Sequence, residues 1–193
     1  MEKAIFVDKD GTLIPDIPYN VDPTRISLMP RVLPGLKRLQ KEGYLLIIIS
    51  NQSGVAKGHF EERELTKVIQ KIVELLAAGK VNMHDFYYCP HHPDGKVTLY
   101  ARECECRKPK PGLLLRAARD WKIDLPSSWM IGDILDDVEA GRRAGCQTIL
   151  LDNGHETEWR MDDMRQPHHC VKNIEQAAHI ILSTKTGYAA VPQ

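Results

Sequence analysis

Asp8 and Asp10, two carboxylates separated by one residue in Asp8-Lys9-Asp10-Gly11-Thr12, are the groups in this sequence best suited to covalent chemistry. A short aliphatic run, residues 4–7, leads directly into them, and in an open parallel sheet ligands bind outside the carboxyl ends of the strands. Two carboxylates repel a phosphate unless a divalent cation joins them. With that cation, one can attack phosphorus in line while the other protonates the leaving oxygen and later activates water. Gly11 allows a tight turn, and Thr12 can fix the loop. The plainer alternative is a polar Asp-Gly turn.

Three further segments supply partners. Ser50 and Asn51 follow the aliphatic run 45–49, which places a hydroxyl and an amide where they can meet phosphate oxygens; taken alone, Ser50-Asn51-Gln52-Ser53-Gly54 is equally a polar loop. Arg107-Lys108-Pro109-Lys110-Pro111-Gly112 precedes a helical pattern, so its cations share space with a helix N-terminus, where an anion is favoured. A lysine there can neutralise a transferring phosphoryl group, and a solvated basic loop is the alternative. Asp133 follows Ile131-Gly132, a strand-end position suited to a direct metal ligand. Asp137 is a second acid nearby, and Asp136 suits a helix start.

These four segments resemble, in order, the motifs of the haloacid-dehalogenase-like phosphatases, and they span residues 8–137. The resemblance implies that Asp8 is the nucleophile and Asp10 the general acid/base. It implies Mg²⁺ held by Asp8, Asp10 (through its backbone carbonyl) and Asp133, and phosphate contacts from Ser50 and Asn51. Lys108 rather than Lys110 becomes the fixed cation, Arg107 a substrate contact, and Asp137 a residue orienting Lys108 or metal-bound water. Ile134 departs from the pattern, since relatives often carry a basic or small polar residue after the metal-binding Asp.

Cys89-Pro90-His91 and Cys104-Glu105-Cys106 bracket an excursion over residues 92–103. Four soft or borderline ligands of this kind can close a tetrahedral structural zinc site; free cysteines are the alternative, and His91 and His92 compete for one place. Resemblance favours His91. The loop is similar to that of the family branch acting on D-glycero-D-manno-heptose 1,7-bisphosphate. That similarity implies hydrolysis of the C7 phosphate to heptose 1-phosphate through an aspartyl-phosphate, within nucleotide-activated heptose and lipopolysaccharide synthesis. It also implies a fold with no large cap domain. Histidinol-phosphate phosphatases, whose ligand pairs lie closer together, are one rival. Nucleic-acid 3′-phosphatases, which share the general form of the second motif, are another, and an inactive zinc-stabilised scaffold is a third.

The elements that must carry these groups follow from periodicity. Apolar runs at residues 4–7, 45–49, 84–88, 128–131 and 147–151 predict strands, and amphipathic stretches at 34–42, 61–78, 111–121, 136–144 and 173–182 predict helices. The alternation is that of an α/β, Rossmann-like three-layer sandwich with a mainly parallel sheet. One domain is expected over residues 1–184, with a zinc loop at 89–106 and a loose tail at 185–193. The irregular stretch 14–29 offers Tyr19, Asn20, Asp22 and Arg25 as sugar contacts; a stiff surface loop is the other reading. Equal totals of 26 basic and 26 acidic residues argue against nucleic acid and for a small or locally recognised substrate, which the resemblance implies is a sugar phosphate. The absence of a long apolar run points to a cytoplasmic protein with no membrane contact; a monomer is expected. Cys146 and Cys170 are expected to pack in the core, and the remaining histidines, among them His155, to lack partners.

Overall fold

A computed structural model describes residues 1–185 of the chain. In chain order the elements are β1 (Lys3–Val7), α1 (Val32–Lys41), β2 (Tyr44–Asn51), α2 (Gly54–Lys57), α3 (Leu65–Ala78), β3 (Asp85–Cys89), α4 (Gly112–Trp121), β4 (Trp129–Gly132), α5 (Leu135–Ala144), β5 (Gln147–Leu151), β6 (His169–Val171) and α6 (Ile174–Lys185). Short 3₁₀ turns occupy Pro23–Arg25 and Glu62–Glu64. The six strands lie in the order β3-β2-β1-β4-β5-β6, and every pairing is parallel. This is the expected α/β sandwich, and among the described residues no second sheet caps it.

Strand alternation builds two apolar layers. In β1, Ile5 and Val7 face the helices α1, α3 and α6, where they meet Leu36, Ile72 and Ile181. Ala4 and Phe6 face the opposite side, with Leu113, Leu114 and Ala117 of α4. β2 repeats the division, with Leu46 and Ile48 on one face and Ile47 and Ile49 on the other. Burial on both faces explains why these central strands read as unbroken aliphatic runs.

The sequence missed two elements. α2 has four residues, too few for a helical period, and β6 has three, only one of them a large aliphatic residue. The helix expected from residue 61 begins as a 3₁₀ turn and becomes α-helical at Leu65. Cys146 is buried as expected, but Cys170 is exposed, because it lies on the short edge strand β6 rather than beneath a helix. Of the expected tail, Lys185 belongs to α6, and residues 186–193 lie outside the described residues.

Candidate active site

The strand order places the chemistry. The chain runs outward from β1 through β2 to β3, then returns to lay β4, β5 and β6 on the other side of β1, so the loops leaving β1 and β4 diverge and open a crevice at their carboxyl ends. Asp8 follows β1 and Asp133 follows β4, and the Asp8 backbone N–H donates to Ile131 O at 2.9 Å, tying the two strand ends together. Asp137, in the first turn of α5, completes a buried group whose carboxylate oxygens lie within 4.8 Å of one another. Two glycines make the approach feasible. A Cβ on Gly132 would sit 2.2 Å from Asp137 atoms, and one on Gly11, whose φ is +80°, would sit 2.1 Å from Asp133 Oδ2.

Lys108 reaches into this group from the loop before α4. Buried itself, it donates to Asp8 Oδ1 and, at 3.0 Å, to Ile49 O, and pairs with Asp137 at 2.6 Å. Lys110 instead meets Glu105 at the surface. Burial and the neighbouring carboxylates push Asp8 up to about 7 despite Lys108. Burial, then Asp8, pushes Asp133 up to about 6. Burial, with Asp133 adding to it against Lys108, does the same to Asp137. Burial opposes the charge on Lys108, yet Asp137 and Asp8 outweigh it and hold its pKa above the ordinary value. Three buried carboxylates against one ammonium leave negative charge uncompensated, and an all-oxygen cluster of this kind fits a hard divalent cation such as Mg²⁺.

The Asp10 carboxylate turns out of that cluster toward Lys9 Nζ at 2.7 Å and Gln52 Nε2 at 3.1 Å. Gln52 Nε2 also donates to Ser50 Oγ at 2.7 Å, linking the first two motifs. Asn51 turns both polar side-chain atoms to the Lys108 backbone: Nδ2 donates to Lys108 O and Oδ1 accepts from Lys108 N, each at 3.0 Å. Its arrangement is that of a strut for the lysine. Arg107 Nη1 is buried with no hydrogen-bond partner among the described residues. A cavity of about 310 Å³ beside Asp10 and Asn51 takes in Tyr19 and Asn20 from the 14–29 loop. Asp22 lies outside that lining and accepts bonds from Thr24 N and Oγ1, and exposed Arg25 is likewise not part of it.

Sequence reasoning overlooked Lys9, Gln52 and His155. His155 Nδ1 lies 2.7 Å from Asp133 Oδ2, so this histidine has a partner after all. No local spacing announces it, because the contact crosses from the loop after β5 to the end of β4.

Cys89 at the end of β3 meets Cys104 and Cys106, with sulfur separations of 3.1–3.4 Å, and His91 Nδ1 lies 3.4 Å from Cys106 Sγ and 3.7 Å from Cys89 Sγ. No two of the four ligand atoms are more than 4.8 Å apart, and no disulfide joins the described cysteines. Three sulfurs and one imidazole nitrogen converging on one point suit a tetrahedral Zn²⁺. His92 stands aside, its Nδ1 accepting from Asp94 N at 3.1 Å.

Residues 105–177 match the family model described as HAD-hydrolase-like. The chain is 37% identical over 188 residues to the D-glycero-beta-D-manno-heptose-1,7-bisphosphate 7-phosphatase of Pasteurella multocida, covering 96% of this chain and 100% of that one. It is 42% identical over 151 residues to the Haemophilus influenzae protein of the same name, covering 78% and 82% respectively. Among solved structures, D,D-heptose 1,7-bisphosphate phosphatase from B. bronchiseptica, complexed with magnesium and phosphate, aligns with a TM-score of 0.77 at 28% identity, over 94% of this chain and 99% of that one. A HAD-like phosphatase structure from Mesorhizobium loti aligns at 0.83 and 29% identity, over 99% and 90%.

Proposed function

Because the chain belongs to the D-glycero-beta-D-manno-heptose-1,7-bisphosphate 7-phosphatase family of HAD-like proteins, we propose that it hydrolyses the C7 phosphate of a heptose 1,7-bisphosphate, with Asp8 as the nucleophile. The observation that carries this reading is the buried group at the switch point, in which Lys108 lies between Asp8 and Asp137, with Asp133 alongside.

An Asp8 carboxylate oxygen attacks phosphorus, forming an acyl phosphate as the bond from phosphorus to the C7 oxygen breaks. Protonated Asp10 gives its proton to that leaving oxygen. Asp10 then takes a proton from water, which attacks the same phosphorus and releases inorganic phosphate and free Asp8. Lys108, fixed by Asn51, Asp137 and the Ile49 carbonyl, holds positive charge against the transferring oxygens throughout. Asp8, the Asp10 backbone carbonyl and Asp133 would hold Mg²⁺, which would supply positive charge to offset that of the phosphate and let two anions approach.

The second phosphate meets Arg107 and Lys57. Arg107 Nη1 has no hydrogen-bond partner among the described residues. Lys57 lies against Tyr19, a residue lining the cavity, at 3.3 Å from its hydroxyl. Burial and these two cations lower the pKa of His92, consistent with positive charge near that loop. Cys89, His91, Cys104 and Cys106 would hold Zn²⁺, which would fix the shape of that loop. The product, a sugar 1-phosphate, suits a nucleotidyl transfer in making activated heptose for lipopolysaccharide, in the cytoplasm.

Comparing kcat/KM for the α and β anomers of the heptose bisphosphate, fructose 1,6-bisphosphate and histidinol phosphate tests the reading. One heptose anomer is expected to lead by about 10²-fold or more, a ratio within reach of a site built to bond substrate hydroxyls and a second phosphate. If histidinol phosphate leads, the proposed substrate is wrong.

A further inference from the structure

We propose that His155 is a positioning residue for the metal-binding carboxylate, holding Asp133 in its ligating orientation from the loop that follows β5. The inference rests on the reading of Asp133 as a magnesium ligand.

Each oxygen of Asp133 has one donor. Thr12 Oγ1 donates to Oδ1 at 2.8 Å, and His155 Nδ1 lies 2.7 Å from Oδ2. A carboxylate gripped on both oxygens cannot rotate about its own axis, and each oxygen retains a lone pair for a cation. The adjacent residue, Ile134, has no side-chain donor, so the second grip comes from across the crevice.

The loop carrying His155 is itself built into the site. Asn153 Nδ2 donates to Gly11 O at 2.7 Å, and Asn153 Oδ1 accepts from the His155 backbone at 3.4 Å. Glu156 Oε2 accepts from Leu135 N at 2.7 Å, capping α5, the helix that bears Asp137. Residues 153–156 therefore tie together the nucleophile loop, Asp133 and the start of α5. The fit is close: a Cβ on Gly11 would come within 2.5 Å of His155 Nδ1. Partners that orient metal ligands in this way typically contribute about 10- to 100-fold in metal affinity.

The test is calorimetric titration of Mg²⁺ into the metal-free full-length protein without substrate. His155→Phe keeps the ring and removes the donor, whereas His155→Asn places an amide N–H near the position of Nδ1. The first is expected to weaken Mg²⁺ binding by about tenfold or more and the second to restore it to within about threefold. The far-UV circular dichroism of both should match the parent. Under saturating Mg²⁺, His155→Phe should recover most of its kcat, which a general structural defect would not allow. Binding by His155→Phe as tight as the parent's, or His155→Asn as weak as His155→Phe, overturns the inference alone. A parent that takes up no Mg²⁺ overturns the proposed function and the inference with it.

Discussion

At the scale of single residues, the site depends on one ammonium among buried carboxylates. Lys108→Met keeps the length of the stem and removes the charge, so Asp8 and Asp137 lose their shared partner. Removing a preorganised charge from a dry site costs roughly 10²–10³ in rate, and kcat is expected to fall by that amount with the circular dichroism unchanged. A variant within threefold of the parent kcat contradicts the role given to Lys108. Asp8 and Asp133 were legible in the sequence because each stands at a strand end, and a cation before α4 was legible from the Arg107–Gly112 segment, where the family resemblance chose Lys108 over Lys110. The partners that aim them were not. Gln52 reaches Asp10 across 42 positions, and His155 reaches Asp133 across 22, and no periodicity encodes such contacts. Asn51 was visible as a polar group at the right strand end, but its bonds to the Lys108 backbone come only from the folding of β2 against the later loop.

At the scale of elements, the central strands were readable because burial on both faces demands unbroken aliphatic residues, whereas α2 and β6 are too short to show a period. The cysteine loop was readable as a candidate ligand set. Its closure depends on β3 delivering Cys89 to the same point as Cys104 and Cys106. Outside the four candidate ligands, Tyr88 of β3 and Tyr100 of the loop both donate to Glu62, fastening this end of the molecule to the turn before α3. Cys104→Ser removes one of the four proposed zinc ligands, and metal analysis should find zinc reduced from about one per chain to well below it. Limited trypsin digestion should then cut at exposed Lys96 or Arg102 under conditions in which the parent loop resists. A variant that keeps its zinc and its resistance contradicts the assignment.

At the scale of the whole molecule, the buried acids couple stability to pH and metal. In metal-free protein Asp8 is pushed up to about 7, and Asp133 and Asp137 to about 6, from an ordinary value of 3.8. The folded chain therefore binds protons here that the unfolded chain has released. The stability this group retains in acid is lost as pH rises from about 4 through 6 and 7. Lys108, with its pKa raised, stays charged across that window. In chelator, Tm is expected to rise as pH falls from about 7.5 to 5.5, and Mg²⁺ at pH 7.5 should give a similar rise by replacing the protons. A Tm in chelator that falls over that interval, with no response to Mg²⁺ at pH 7.5, contradicts this picture of the crevice. The layered sheet was expected from the sequence as a whole. The location of the crevice needed the strand order, which follows from how the chain returns past β1 to lay down β4.

The most direct test of the account is Mg²⁺-dependent phosphate release by Asp8→Asn with heptose 1,7-bisphosphate as substrate. Asparagine keeps the shape of the side chain and cannot form an acyl phosphate, so the rate should fall by at least about 10³-fold, with folding unchanged. Turnover within tenfold of the parent would mean that phosphate leaves without passing through Asp8.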